Sequence, residues 1–239
     1  MTTNPSAKAA NSTGYVRLPD APDPEDMNNY LFLHFPGNTH HLAMHLGNQE
    51  TTIMMGDVYI APEPTSSRAG LFHPDLFIAF NVNPAACRER NGYVISEQGK
   101  PPDFVMEIGS SSTGRRDITV KREGYAALGI PEYWRFDDSG GRFHGAPLAG
   151  DRLVDGLYQP IPIEQLDGQT HQGYSPVLNL NLRWEDGNLG WYDPATGRHI
   201  PTFSDEREAR IRAENRAETA EARIRELEEQ LRRRGGPLQ

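Results

Sequence analysis

The chain has 239 residues, 36% of them apolar, one cysteine and a formal net charge of −9. That length holds one domain with a full core plus appendages. Cys87 alone excludes an intramolecular disulfide and fits a reducing, cytoplasmic setting, while no apolar run approaches the ~20 residues that span a bilayer. The acidic balance argues against a protein that coats nucleic acid along its whole surface, and the opening MTTNPSAKAANSTG lacks the apolar run of a secretory signal.

Residues 1–28 are rich in Pro, Asn, Ser and Asp and are expected to be disordered. Tyr30–Phe35 is a short apolar run, either a strand or a helix start. HHLAMHLG, His40–Gly47, reads as a short helix ending at its glycine. Thr52–Ile60 reads as a strand interrupted by Gly56-Asp57. After a loop, Pro74 opens an apolar strand with Asp75 at its start, a position that suits a residue lacking an N–H. Asn83–Lys100 is loop-rich and carries Cys87 as a bystander thiol. A strand through Asp103–Ile108 leads into Ser110–Thr113, with Thr113 as N-cap of a helix ended by Gly129 and Pro131. EYWRF, Glu132–Phe136, is strand-like, and short strands follow at Arg142–Leu148, Arg152–Gln159, Val177–Arg183 and Leu189–Tyr192. This order predicts an α/β (α+β) domain over residues 29–204, a mixed central sheet flanked by helices.

From Asp205 the composition changes. Residues 205–234 hold nine acids and nine arginines, and Ala213, Ala217, Ala220, Ile224, Leu227 and Leu231 are spaced as a heptad seam. A C-terminal helix is expected, either a weak coiled coil that pairs two copies or an isolated, partly frayed helix. Residues 235–239 form a short tail.

The chemistry concentrates between Asp75 and Asp137. Strand alternation places Asp103, Val105 and Glu107 on one face and Phe104, Met106 and Ile108 on the other. Asp103 follows a Pro-Pro pair and is expected at an exposed edge. A buried Glu107 requires a positive partner, either a metal ion or Lys121. Two carboxylates on neighbouring strands, Asp75 and Glu107, can hold one Mg²⁺ through oxygen. The plainer readings are a turn acid at Asp75 and an i,i+4 surface pair for Asp117 and Lys121. His41 and His45 have the spacing of a zinc motif but lack its glutamate and a third ligand. Ser110–Thr113 reads as helix capping, Tyr125, Tyr133 and Trp134 as core aromatics. No Walker or dinucleotide-binding motif is present.

PDLFIAF, PPDFVMEIGSSST, the Asp117/Lys121 pair, YAALGIPEYWRFD and GYSPVLNLNLRWEDGNLGWYDPATG, in this order over roughly Asn38 to Arg198, resemble the Uma-two family of endonucleases within the PD-(D/E)XK restriction-endonuclease-like superfamily. The resemblance implies a Mg²⁺- or Mn²⁺-dependent enzyme that hydrolyses DNA. Asp75 and Glu107, with the Ile108 carbonyl, would be metal ligands and Lys121 the migrated catalytic lysine. His41 and Asp117 would stand behind them, and Arg115, Arg116 and Arg122 would meet nucleic acid. Two departures stand out. The superfamily's usual lysine position holds Gly109, and the long opening helix of the family is short here. The rival reading is a catalytically silent binding module that keeps the fold and assembles through its C-terminal helix.

Overall fold

A computed structural model describes residues 16–21, 30–34 and 36–234. The rest of the expected disordered segment and the 235–239 tail lie outside the described residues. The chain divides into two compact units, Met1–His199 and Ile200–Gln239.

The first unit is an α/β fold built on a mixed sheet. It opens with a π-helical turn, Tyr30–His34, and helix α1 (Asn38–Leu46), closed by Gly47 at φ 65°. Strands β1 (Ile53–Met55) and β2 (Tyr59–Ala61) follow, then β3 (Leu76–Ala79). The expected single strand across residues 52–60 is thus two strands in different sheets, because Gly56-Asp57 turns the chain between them. The expected loop after Asn83 is largely helical: α2 (Pro84–Arg90) and α3 (Ile95–Gln98) flank β4 (Gly92–Val94). The Asn83 side chain caps α2 by accepting from the N–H groups of Ala85 and Ala86, with Pro84 at the first helical position. Cys87 is buried on that helix, and burial pushes its thiol up to about 12, so it is a packing residue.

Strand β5 (Phe104–Ile108) leads through α4 (Gly114–Arg116), a second π-helical turn (Asp117–Lys121) and α5 (Arg122–Ala127) to β6 (Glu132–Phe136). Gly129, at φ 77°, donates to the Ala126 carbonyl and Ile130 to that of Tyr125, a Schellman close that buries Ile130 and Tyr125 together. Then come β7 (Leu148–Val154), β8 (Leu157–Ile161), β9 (Ile163–Asp167), β10 (Thr170–Ser175), β11 (Leu180–Glu185), β12 (Asn188–Asp193) and β13 (Arg198–His199). The expected strand over Arg142–Leu148 is instead turns up to Leu148. The expected strand over Arg152–Gln159 is a hairpin folded at Asp155-Gly156, whose φ angles of 50° and 79° suit a two-residue turn.

The central sheet has the order β1-β3-β5-β6-β7-β8, with β5 and β6 parallel and the other pairs antiparallel. A parallel pair needs a crossover, and the helical run from Gly114 to Ala127 supplies it. A second, antiparallel sheet, β13-β12-β11-β10-β9, covers the face bearing Phe104, Trp134 and Phe136, where Phe104 meets Trp191 at 6.5 Å between ring centroids. The crossover helix covers the other face. There Phe72, Tyr125 and Tyr133 form a stack with centroid spacings of 5.2 and 5.1 Å, each ring pair contributing about 0.5–1.5 kcal/mol beyond its area. Residues 16–21 pack at the β2–β4 pair, where Leu18 is buried and its N–H donates to the Arg90 carbonyl.

The second unit holds α6 (Phe203–Arg234). Residues 203–233 are all exposed, including the seam side chains Ile224, Leu227 and Leu231.

Candidate active site

The register of β3 against β5 pairs Leu76 with Met106, and one step further sets Asp75 opposite Glu107. Directly opposite residues point to the same face, so the strands alone force two carboxylates together, an arrangement that is unfavourable unless compensated. Asp75 is half-buried and is fixed by the Ile108 N–H, which donates to Oδ2 at 2.6 Å. Gly56 packs against the same strand start so tightly that a Cβ there would sit 2.0 Å from the Asp75 carbonyl oxygen. Burial and the neighbouring Glu107 charge hold the Asp75 carboxyl well above its ordinary range.

Glu107 is 1% exposed, and both of its oxygens are engaged. Lys121 Nζ lies 2.8 Å from Oε2, and the Tyr125 hydroxyl donates to Oε1 at 2.6 Å. Lys121 and Tyr125 stand one helical turn apart, so one edge of the crossover helix addresses one carboxylate. Lys121 is also 2.9 Å from Asp117 Oδ1. Burial lowers the lysine's proton affinity, but the two carboxylates outweigh it and keep Lys121 charged. Asp117 is fully buried, so the pair is no surface ornament; its carboxyl accepts from Thr113 Oγ1 at 3.1 Å and lies 3.0 Å from His144 Nε2. Thr113 stands at the N-cap position but makes no capping bond, because its hydroxyl serves Asp117.

His144 is held from below. The Asp137 carboxylate accepts from the backbone N–H groups of Phe143 and His144, at 2.7 and 2.8 Å, and from Ser139. Burial would raise the Asp137 carboxyl, but these bonds prevail and hold it below the ordinary value. Gly109 lies against Asp137: a Cβ there would meet its side-chain carbons at 3.1–3.2 Å. Gly109 thus abuts the side chain that follows the neighbouring strand β6, and the ammonium beside Glu107 comes from Lys121 on the helical crossover.

The other expected residues divide. Arg115 and Arg116 are exposed, and the Arg116 charge, after burial and Lys121, helps lower the proton affinity of His73. Arg122 instead binds Asp151 twice, at 3.1 and 2.8 Å, and donates to the Tyr158 carbonyl at 2.9 Å. His41 is buried in α1, whose Asn38 donates to Leu189 of β12. Asp103 is half-buried rather than exposed, accepting from the Phe80 N–H and pairing with Lys100 at 2.7 Å. Tyr125, His144 and Asp137 were beyond the sequence reading. Tyr125 reads as core and is core, and only its hydroxyl reaches Glu107. His144 lies 23 residues beyond Lys121 in a glycine-rich turn.

The donor set fits a divalent cation. Asp75, Glu107 and Asp117 bring three carboxyls against one lysine, and the raised Asp75 carboxyl marks where their repulsion is felt. Carboxylate oxygens that accept one hydrogen bond retain a second lone pair for a metal. Among the described residues no three His, Cys, Asp or Glu side chains form a ready-made cage.

A family model described as "Uma2: Putative restriction endonuclease" matches residues 39–183. Among solved structures, one described as "a putative nuclease belonging to DUF820" from Anabaena variabilis is similar at 13% identity and a TM-score of 0.40, over 62% of this chain and 75% of that one. No curated protein matched the chain.

Proposed function

The chain belongs to the Uma2 family, and on that premise we propose that it is a divalent-metal-dependent endonuclease that hydrolyses DNA phosphodiester bonds at the Asp75–Glu107–Lys121 cluster. The observation that carries the reading is the buried lysine clamped between Glu107 and Asp117 beside a second, charge-strained carboxylate. Asp75 and Glu107, with the Ile108 carbonyl, would hold Mg²⁺ or Mn²⁺, which would neutralise charge on the phosphate and acidify water. Water attacks phosphorus, the P–O bond to the leaving sugar oxygen breaks, the proton lost by water passes to solvent, and the leaving oxygen takes a proton from solvent water to become a hydroxyl. The protein's own part is fixed by its bonds. Ile108 N–H orients Asp75, and the Tyr125 hydroxyl orients Glu107. Lys121, kept charged, offers its remaining N–H to an oxygen of the scissile phosphate, where negative charge grows in the transition state. Arg115 and Arg116 are free to meet neighbouring phosphates, whereas Arg122 is committed to Asp151.

The test is calorimetric titration with Mg²⁺ and Mn²⁺ alongside nicking of supercoiled DNA. The wild-type chain is expected to bind one ion and nick; Asp75→Asn, which keeps an acceptor for Ile108 N–H, is expected to lose both. A wild-type chain that neither takes up metal nor nicks DNA overturns the reading and leaves the silent binding module.

The second unit supports a further proposal: α6 pairs weakly with a second copy through Ala213, Ala217, Ala220, Ile224, Leu227 and Leu231. A helix whose apolar stripe is wholly exposed gains by burying it, but the alanines make the seam thin. Analytical ultracentrifugation is expected to show concentration-dependent association, abolished by Leu227→Asp and by truncation after Phe203. A full chain that stays monomeric at high concentration leaves α6 as a solvated arm.

A further inference from the structure

We infer that His144 is a positioning residue of this site, acting through Asp117 on the ammonium of Lys121. The inference rests on the nuclease reading for its effect on turnover, but not for the geometry it asserts. Three ionisable contacts run in line: His144 Nε2 to Asp117 Oδ2 at 3.0 Å, Asp117 Oδ1 to Lys121 Nζ at 2.9 Å, and Lys121 Nζ to Glu107 Oε2 at 2.8 Å. The lysine is shared between two carboxylates, and only one of them touches Asp75's side of the site. Whatever strengthens Asp117's other bonds loosens its hold on Lys121 and turns the ammonium towards Glu107.

The surroundings are built for that task. The His144 ring is fully buried, and its Nδ1 has no hydrogen-bond partner among the described residues, so the contact to Asp117 is its one polar bond there. A buried ring nitrogen without a partner is unfavourable. A core apolar residue would avoid that cost, which argues that the bond to Asp117 is what the position serves. The turn that delivers the ring is fastened twice. Asp137 accepts from the His144 and Phe143 N–H groups. Gly114, at the start of α4, approaches so closely that a Cβ there would lie 2.8 Å from the Phe143 carbonyl oxygen. Turn and helix therefore pack directly on each other, and the ring reaches the carboxylate from that base. Thr113 Oγ1 supplies the second donor to the same Oδ2.

The experiment compares His144→Leu, which fills the space without a donor, with His144→Gln, which restores one. With DNA as substrate, His144→Leu is expected to lower kcat about 10–100-fold, as loss of a partner behind a metal site does, with KM for DNA little changed. His144→Gln is expected to recover most of it. The ¹⁵N signal of the Lys121 ammonium, read by NMR without any substrate, is expected to shift in the leucine variant and return in the glutamine variant. An unchanged Lys121 signal in a folded His144→Leu chain overturns the inference. So does a kcat loss that glutamine fails to restore. If His144→Leu does not fold, Thr113→Val removes the companion donor, and the same signal must move. If the wild-type chain proves inactive, the nuclease reading fails while the NMR comparison still decides the role of His144.

Discussion

Replacing Lys121 with alanine is expected to lower metal-dependent nicking by about 10²–10³-fold, the loss typical when one preorganised donor to a developing oxyanion is removed. It also has a stability cost. The lysine is 7% exposed and, among the described residues, is the cation paired with buried Glu107. Breaking a buried ion pair from one side costs about 3–5 kcal/mol, because the remaining charge is stranded. The alanine variant should therefore melt well below the wild type at neutral pH. Adding Glu107→Gln to it should recover part of that stability while recovering no activity. This pattern separates a lysine in the site from one on the surface: a surface i,i+4 pair contributes about 0.2–0.5 kcal/mol, and its loss would leave the melting temperature nearly unchanged. Thermal denaturation of the two variants beside a nicking assay measures both.

The second large effect is expected at a residue with no chemistry. In Gly56→Ala the new methyl would stand 2.0 Å from the Asp75 carbonyl oxygen and 2.9 Å from its carbon, atoms of the backbone that no rotamer change can move aside. The turn between β1 and β2 must back away from the start of β3, or Asp75 must move. Overpacking of this kind costs about 1–3 kcal/mol and sometimes more. Because the displaced atoms belong to Asp75, metal affinity should fall with stability. An alanine at Gly47, where a Cβ meets nothing within 4 Å, serves as the comparison: its φ of 65° strains the backbone, but metal affinity should hold. Calorimetry with Mg²⁺ on both variants, beside their melting curves, checks this.

How far these features were legible in the chain depends on whether their cause is local. The β5 strand, the helix close at Gly129 and the EYWRF strand each follow from periodicity and turn chemistry within a few residues, and each stands where that chemistry puts it. The helix after Asn83 was equally local, since Asn-Pro is a cap-and-first-turn signal, but the polar composition of NPAACRERNG masked it. The opposition of Asp75 and Glu107 needed the strand register, which alternation alone does not set. Asp117 illustrates the limit best. By spacing it is an ordinary i,i+4 partner; its buried bond to His144 comes from the turn after the next strand, β6, a juxtaposition no local rule contains. Gly109 is similar. Its lack of a side chain reads as a missing lysine, whereas the structure gives it a steric reason in Asp137.

Glu107, Thr113, Asp117, Lys121, Tyr125 and His144, which bond to one another at the site, come from a single continuous stretch, residues 107 to 144. That stretch is one strand–helix–strand unit with its following turn, so its contacts close loops of a few tens of residues, and short loops are the least costly to close. Asp75 arrives separately, on a strand that joins by sideways pairing. The consequence concerns the order of assembly. Glu107 and Asp117 can pair with Lys121, and Asp117 bond to His144, as soon as the unit docks, before the first carboxylate is in place. The nascent chain is thus spared an interval with two unbalanced acids in a forming core, and the step that adds the repulsive charge is the one that completes the site.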